Sequence, residues 1–351
     1  MPDCKDEIAA KVKTAYQETQ ALQIIGGGSK RFYGRTTHGE ALSLSNHSGI
    51  IEYEPSELYI MARSGTPLFE IEQTISAQNQ ILPCEPPHFA DTATLGGMIA
   101  CGLSGPRRVN AGSVRDCVLG TEVLNGKGEY LHFGGRVMKN VAGYDVSRLM
   151  CGALGTLGIV MSATLRLLPK PACDLSLVFS LDHQSAITTM NQWANSPMPI
   201  SASFYDGSEL FIRLSGSTTA VESCKNDLGG EVVDANNIFW NEIKEHTHSF
   251  FTNDQPLWRV SVPAYAERLN ISGNCAMEWN GALRWYTSEA DELSIRAEAQ
   301  RVGGHACLFK GDVTEQIFHP LPDALMKLHK NIKQTLDPAS ILNPGKMFAG
   351  L

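Results

Sequence analysis

Three stretches dense in glycine and small hydroxylated residues are where this chain could do chemistry. Gly26-Gly27-Gly28-Ser29-Lys30 closes the apolar run ALQII. Without Cβ atoms, successive backbone N–H groups can turn toward one anion, and a diphosphate suits such a nest. Lys30 or Arg31 could neutralise it. The spacing is not the G-x-G-x-x-G that opens a helix in dinucleotide folds, and a triple glycine alone is as readily a tight turn. Thr92-Ala93-Thr94-Leu95-Gly96-Gly97, followed by Gly102 and Gly105, combines short hydrogen-bonding side chains with room for close backbone approach. The third stretch is Gly152-Ala153-Leu154-Gly155-Thr156-Leu157-Gly158-Ile159-Val160. Each of the last two reads equally well as close helix–strand packing.

The elements that must carry these clusters follow from periodicity. Ile8, Val12 and Tyr16 fall on one face of an N-terminal helix, and ALQII is a buried strand entering the first cluster. IIEYEPSELYIMARSGTPLFEIEQTISAQNQIL gives strand, turn, strand and a helix starting near Pro67, with Thr66 as N-cap and Glu70 and Glu72 in its first turns. Residues 83–108 hold neither period for most of their length and read as a long functional loop. Asn125-Gly126 inside EVLNGKGEYLHFG predicts a tight hairpin with positive φ at both centres. GALGTLGIVMSATLRLLPKP ends in a strand, and Pro169 and Pro171 mark a boundary. From Asp174 to about Gly303, DLSLVFSL, ELFIRLSG and LWRVSVP alternate with helical stretches, and Asn280-Gly281 repeats the hairpin signal. The tail predicts an amphipathic helix stopped by Asp337-Pro338, then an extended segment packing back on the first part. The expected fold is α+β, with divisions 1–171, 172–303 and 304–351.

Bulk properties exclude several classes. The 351 residues are 43% hydrophobic and 19% charged, as in ordinary globular domains. A net charge of -8 without a basic stripe argues against nucleic acid. Nine cysteines form no Cys-x-x-Cys pair, so neither a disulfide framework nor a metal or iron–sulfur site built by this chain alone is indicated, and a reducing cytoplasm is expected. The N-terminus is charged and lacks a signal's apolar core, and runs such as LGGMIACGL fall far short of the roughly 20 residues of a bilayer span. Membrane association is expected only at the periphery, through partner subunits.

Taken in order, the clusters resemble the FAD domain of the vanillyl-alcohol-oxidase family, the PCMH-type domain. IIGGGSK resembles its pyrophosphate loop, PSELYIMARSGTPLFEIEQTI its second strand–helix unit, and EPPHFADTATLGGMIACGLSGPRR its loop along diphosphate and flavin. GSVRDCVLGTEVLNGKGE and KNVAGYDVSRLMCGALGTLGIVMSATLRLLP extend the likeness over the first half of the chain. The resemblance implies a two-lobed FAD domain with the diphosphate on Gly26, Gly27, Gly28 and Ser29, beside Lys30. It puts the flavin side along Thr92, Thr94, Leu95, Gly96 and Gly97, and adenosine on backbone at Gly155, Ile159 and Val160. Gly102, Gly105, Gly112, Ser113, Val114 and Asp116 fall in a stretch resembling the cofactor wall. Lys139, Asn140, Gly143 and Tyr144 match a segment near the flavin, although Lys139 also reads as a solvated charge and Tyr144 as a packing aromatic. Many members attach the flavin to a histidine in the pyrophosphate loop, whereas Gly28-Ser29-Lys30-Arg31 has none and His38 lies beyond it. Non-covalent FAD is expected.

The second half, a smaller antiparallel-sheet-plus-helices cap in this reading, points further. Trp279 to Trp285 and ILNPGKMF resemble the FAD-binding subunits of bacterial glycolate oxidases. That implies two partners, a longer flavin subunit and an iron–sulfur subunit leading toward quinone, and a small 2-hydroxy acid such as glycolate or D-lactate as substrate. The relatives' H-x-G-D-G-N-x-H motif is replaced here by Gly304-His305-Ala306-Cys307-Leu308-Phe309-Lys310-Gly311-Asp312. The imidazole pair is missing, so chemistry by this chain alone is in doubt and no catalytic residue is assigned. Arg213, Arg259 and Arg284 on predicted strands are candidate carboxylate forks, each also readable as an exposed strand arginine. His246 and His248 lack a third metal ligand, and His88 is a candidate polar group near the flavin loop. Two other readings stand: a scaffold whose flavin never turns over, and an NADPH-dependent reductase of the UDP-N-acetylenolpyruvoylglucosamine reductase type, whose match to Trp279–Trp285 and ILNPGKMF is poor.

Overall fold

The computed structural model describes residues 3–135, 145–233, 238–312 and 316–351. The chain forms two compact units, one from residues 1–103, 113–170 and 315–351, the other from 104–112 and 171–314.

In the first unit, α1 (Lys5–Glu18) buries Ile8, Ala9, Val12 and Ala15 and stops where Thr19 turns left-handed. β1 (Leu22–Ile25) and β2 (Glu40–Ser43) pair in parallel. A five-stranded antiparallel sheet is built from β3 (Ile50–Glu54), β4 (Tyr59–Arg63), β6 (Val118–Leu124), β7 (Tyr130–Gly134) and β8 (Ile159–Arg166), in the order β3-β4-β8-β6-β7. Two short strands, β5 (Gln80–Ile81) and β9 (Leu168–Pro169), pair separately. Packed with this sheet in one core are α2 (Leu68–Ser76), α3 (Leu95–Cys101), α5 (Val114–Cys117) and α6 (Val146–Met150). Leu68, Ile71 and Ile75, spaced for one helical face, are the buried residues of α2. Its N-cap is Pro67, without a side-chain cap; the Thr66 hydroxyl instead accepts from the Gly49 amide at 2.9 Å.

Two local expectations need correction. Residues 83–108 are not irregular throughout, because Thr94 caps α3 by accepting from Gly97 N and Leu95, Met98 and Ile99 bury one side of it. At Asn125-Gly126 positive φ falls on Gly128 (76°) instead. Asn125 Oδ1 accepts from the Lys127 and Glu129 amides at 2.9 and 3.0 Å, making a longer turn. Gly126 is required for another reason: a Cβ there would lie 2.3 Å from Asp337 Oδ1.

The last helix, α11 (Asp323–Leu336), ends at Asp337. The segment after it runs alongside β1, with Leu22 donating to Ile341 O at 2.7 Å and Asn343 donating to Leu22 O at 3.0 Å. A buried ion pair fixes this return: Lys333 Nζ lies 2.7 Å from Asp337 Oδ2 and also donates to Thr156 O and Leu342 O, while Asp337 accepts from the amides of Ile341 and Leu342.

The second unit is one eight-stranded antiparallel sheet, β13-β10-β12-β11-β15-β16-β14-β17. Its strands are β10 (Cys173–Ser180), β11 (Ile200–Tyr205), β12 (Glu209–Gly216), β13 (Glu231–Val233), β14 (Leu257–Ser261), β15 (Asn274–Glu278), β16 (Leu283–Thr287) and β17 (His305–Lys310). With it go α4 (Arg108–Ala111), α7 (His183–Ala194), α8 (Thr218–Leu228), α9 (Ile238–Glu245) and α10 (Glu292–Arg301). Strand alternation gives the sheet two unlike faces. One carries Leu177, Tyr205, Ile212, Met277, Val260 and Tyr286 into apolar cores shared with α7, α8 and α10. The other carries Phe204, Glu278, Trp285, Arg259 and Cys307, opposite one another in register. The grouping differs from the expected divisions at two points: residues 104–112 belong with this sheet, and residues 304–312 carry its edge strand.

Candidate cofactor site

A cleft opens in the first unit. Its lining joins Gly26 to Arg31, Thr94, Gly96, Gly97, Gly155, Ile159 and Val160 with Ser64, Cys101, Asn343 and Lys346. The walls are backbone because nothing larger fits. A Cβ on Gly27 would sit 1.4 Å from Thr92 O, one on Gly26 would lie 2.6 Å from Thr94 Oγ1, and one on Gly96 would lie 2.8 Å from Ser64 Cβ. The first two clusters are therefore pressed against each other, and Gly28 takes a φ of 77° that other residues rarely adopt.

Among the described residues the charged groups of the cleft are of one sign: Lys30, Arg31 and Lys346 line it, and no Asp or Glu does. Lys30 is buried, donates to His88 O at 3.2 Å and lies over the Phe89 ring. Lys346 donates to Arg31 O at 3.4 Å, and burial, with the Arg31 charge adding to it, holds its ammonium below the ordinary lysine range. Cys101, pushed up to about 11 by burial, remains a neutral and unreactive thiol. Three cations around a glycine-walled cleft fit an elongated polyanion, as the diphosphate of a dinucleotide is.

Of the residues expected to hold a cofactor, Gly26, Gly27, Gly28, Ser29, Lys30, Thr94, Gly96, Gly97, Gly155, Ile159 and Val160 come together in this lining. Five others do not line it. Thr92 backs Gly27 through its carbonyl, Leu95 is wholly buried in the core, and Gly102 is the left-handed cap of α3 packed on Gly152. Ser113 and Asp116 form the capping box of α5, the carboxylate accepting from Ser113 N at 2.9 Å and Ser113 Oγ at 2.6 Å. Val114 is core, and Gly105 and Gly112 belong to the second unit. Lys139, Asn140, Gly143 and Tyr144 lie outside the described residues. His88 lies 3.3 Å from Glu72 and is not part of the lining.

The tail supplies a wall that glycine spacing does not announce. Asn343 Oδ1 accepts from Ile24 N and its Nδ2 donates to Leu154 O, both at 2.8 Å, so one amide joins the strand entering the first cluster to the third cluster. The available signal is the polar pair of N-P-G-K inside an otherwise apolar terminal segment.

The second-unit candidates separate. Arg284 is fully buried and donates to the carbonyls of Ala266, Glu267 and Gly281, and Arg213 donates to Ser201 Oγ and lies over Trp240. Both are structural. His246 stacks on Phe251 at 4.1 Å, and His248 Nδ1 accepts from Phe250 N. Among the described residues no group of three His, Cys, Asp or Glu side chains could hold a metal ion, and no helix is long and apolar enough to cross a membrane.

Comparisons with known proteins agree with this geometry. Residues 1–134 match the model of an FAD binding domain. The fold is shared with alkyldihydroxyacetonephosphate synthase, at a TM-score of 0.71 and 15% identity over 99% of this chain and 76% of that one. Fold and cleft thus define an FAD-binding flavoprotein of the PCMH type. The chain is 43% identical to the glycolate oxidase subunit GlcE of Escherichia coli, over 99% of both chains, and belongs to that family. It is also 29% identical to the glycolate oxidase subunit GlcD of Bacillus subtilis over 60% of this chain and 46% of that one, and 29% identical to a D-lactate dehydrogenase of Archaeoglobus fulgidus over 48% and 38%.

Proposed function

We propose that this chain is the FAD-bearing GlcE-type subunit of a glycolate oxidase assembly, which oxidises glycolate, or D-lactate, to the 2-oxo acid. The observation that carries the reading is the glycine-walled cleft, lined among the described residues by three cations and no carboxylate, in a chain similar to GlcE from end to end. Gly26 to Ser29 offer backbone to the diphosphate, with Lys30, Arg31 and Lys346 balancing its charge. Thr94, Gly96 and Gly97 flank the flavin side, and Gly155, Ile159 and Val160 the adenosine. FAD bound there supplies a hydride acceptor. No histidine lines the cleft and His38 is exposed outside it, which supports non-covalent attachment.

The partners in this reading are a longer GlcD-like flavin subunit and an iron–sulfur subunit leading toward quinone, in the cytoplasm or at the inner face of the membrane. The edge strand at His305–Lys310, in place of the paired-histidine motif, favours chemistry completed in the complex over oxidation by this chain alone. The test is the anaerobic visible spectrum of the purified chain, alone and with its partners, before and after glycolate. A yellow chain that bleaches only in the complex is the expected result. A chain that stays colourless after reconstitution with FAD sinks the proposal.

A further inference from the structure

We propose that Arg259, held against Trp279, forms a carboxylate-binding site on the second unit that takes a small 2-hydroxy or 2-oxo acid. This deepens the functional reading above and rests on it for the identity of the acid.

The arginines of this sheet are used in different ways. Arg213 and Arg284 spend their donors on a hydroxyl and on carbonyls. Arg259 does not. It is half-buried on β14, its cross-strand neighbours are Trp285 and Cys307, and among the described residues no carboxylate pairs with it. Its guanidinium meets the Cys307 thiol and lies 5.2 Å from the centre of the Trp279 ring. The carboxylate on the same face, Glu278, accepts from the indole N–H of Trp285 at 2.7 Å. A half-buried guanidinium without an anion is a costly arrangement to keep unless a ligand supplies the anion.

The surroundings are positive and rigid. Arg108 lies 4.3 Å from the centre of the same Trp279 ring. His246, T-shaped against Trp285, is held down at about 3 first by burial and then by the charges of Arg259 and Lys310, so its imidazole is neutral and the field it reports is cationic. Trp279 is fixed by its indole N–H donating to Gly105 O at 3.1 Å and by a turn in which Trp279, Asn280 and Gly281 take φ of 55°, 58° and 90°. Ser203 holds that turn, donating to Asn280 Oδ1 and accepting from Asn280 N, both at 3.0 Å. Backbone strain kept in place by side-chain bonds is how binding groups are pre-set. A planar fork beside an aromatic wall suits a planar carboxylate better than a phosphate, which would call for more donors.

The test titrates glycolate, and separately oxalate, into the FAD-loaded full chain, following tryptophan fluorescence and heat. Wild-type chain binds both, more weakly at high salt. Arg259→Met weakens both by about tenfold or more, and Arg259→Lys, which keeps charge but loses the fork, by about three- to tenfold. Flavin content is unchanged in each. If Arg259→Met folds poorly, Arg259→Lys decides: binding equal to wild type overturns the site, as does a wild-type chain that binds neither acid. Failure of the functional reading is seen elsewhere, as a colourless chain or an assembled complex inert toward glycolate.

Discussion

The two units are built by opposite means. In the first, the cleft is shaped by what is absent: side chains are missing at Gly26, Gly27 and Gly96 so that backbone can close on backbone. In the second, the sheet face opposite the apolar cores is shaped by large side chains, Trp279, Trp285, His246 and Arg259, in fixed orientations. A backbone-walled site tolerates almost no substitution where strands of chain touch, whereas a side-chain site loses one contact at a time.

That contrast breaks most readily at Gly27. Gly27→Val would place carbon atoms within the van der Waals radius of Thr92 O, and complete loss of bound FAD is expected from the visible spectrum of the purified variant. A variant that stays yellow would show that the two clusters can part, and the cleft would not be backbone-defined. Next in size is Lys333→Met. It strands Asp337 with its charge buried and uncompensated, and about 3–5 kcal/mol of stability should be lost in urea denaturation, loosening the segment that brings Asn343 and Lys346 to the cleft. A loss under about 1 kcal/mol would mean the pair does not anchor the tail.

The smallest effect lies in the second unit and depends on pH. His246 titrates near 6.5 when unfolded and at about 3 when folded. Between those values the unfolded chain binds a proton that the folded chain refuses. The stability due to this histidine is therefore complete above about pH 6.5 and drains as pH falls toward 3, at about 1.4 kcal/mol per pH unit. His246→Phe keeps the stack on Phe251 and should remove that share of the slope between pH 6 and 4. An unaltered slope would mean the ring is wetter than its aromatic surroundings indicate.

How much of the molecule is legible in the sequence follows from the same contrast. Backbone contact demands glycine, so the first cleft leaves a trace at Gly26-Gly27-Gly28, at Gly96-Gly97 and at Gly155, which residue types mark as candidates and the order of the clusters, through the family resemblance, joins into one site. Thr92, Leu95, Gly102, Ser113 and Asp116 carry the same residue types but serve packing and capping, and spacing does not separate the two uses. Asn343 and Lys346 escape such a reading because they reach the cleft from the far side of the sequence, through the pairing of residues 341–343 with β1. The antiparallel sheet of the second unit is expected from alternation, yet alternation says only which side chains share a face. It does not tell that Arg284 is spent on carbonyls and Arg259 is not. The dipeptide rule holds at Asn280-Gly281 and fails at Asn125-Gly126, where packing against Asp337 and the side chain of Asn125 set the turn.

The amide of Asn343 bridges Ile24 and Leu154, across 319 positions of sequence in the first case. During synthesis the glycine loop leaves the ribosome long before its last wall exists. A nascent chain ending short of residue 343 lacks the amide that ties Ile24 to Leu154, so in the proposed reading the cleft closes, and flavin is captured, only once the last segment of the chain is made.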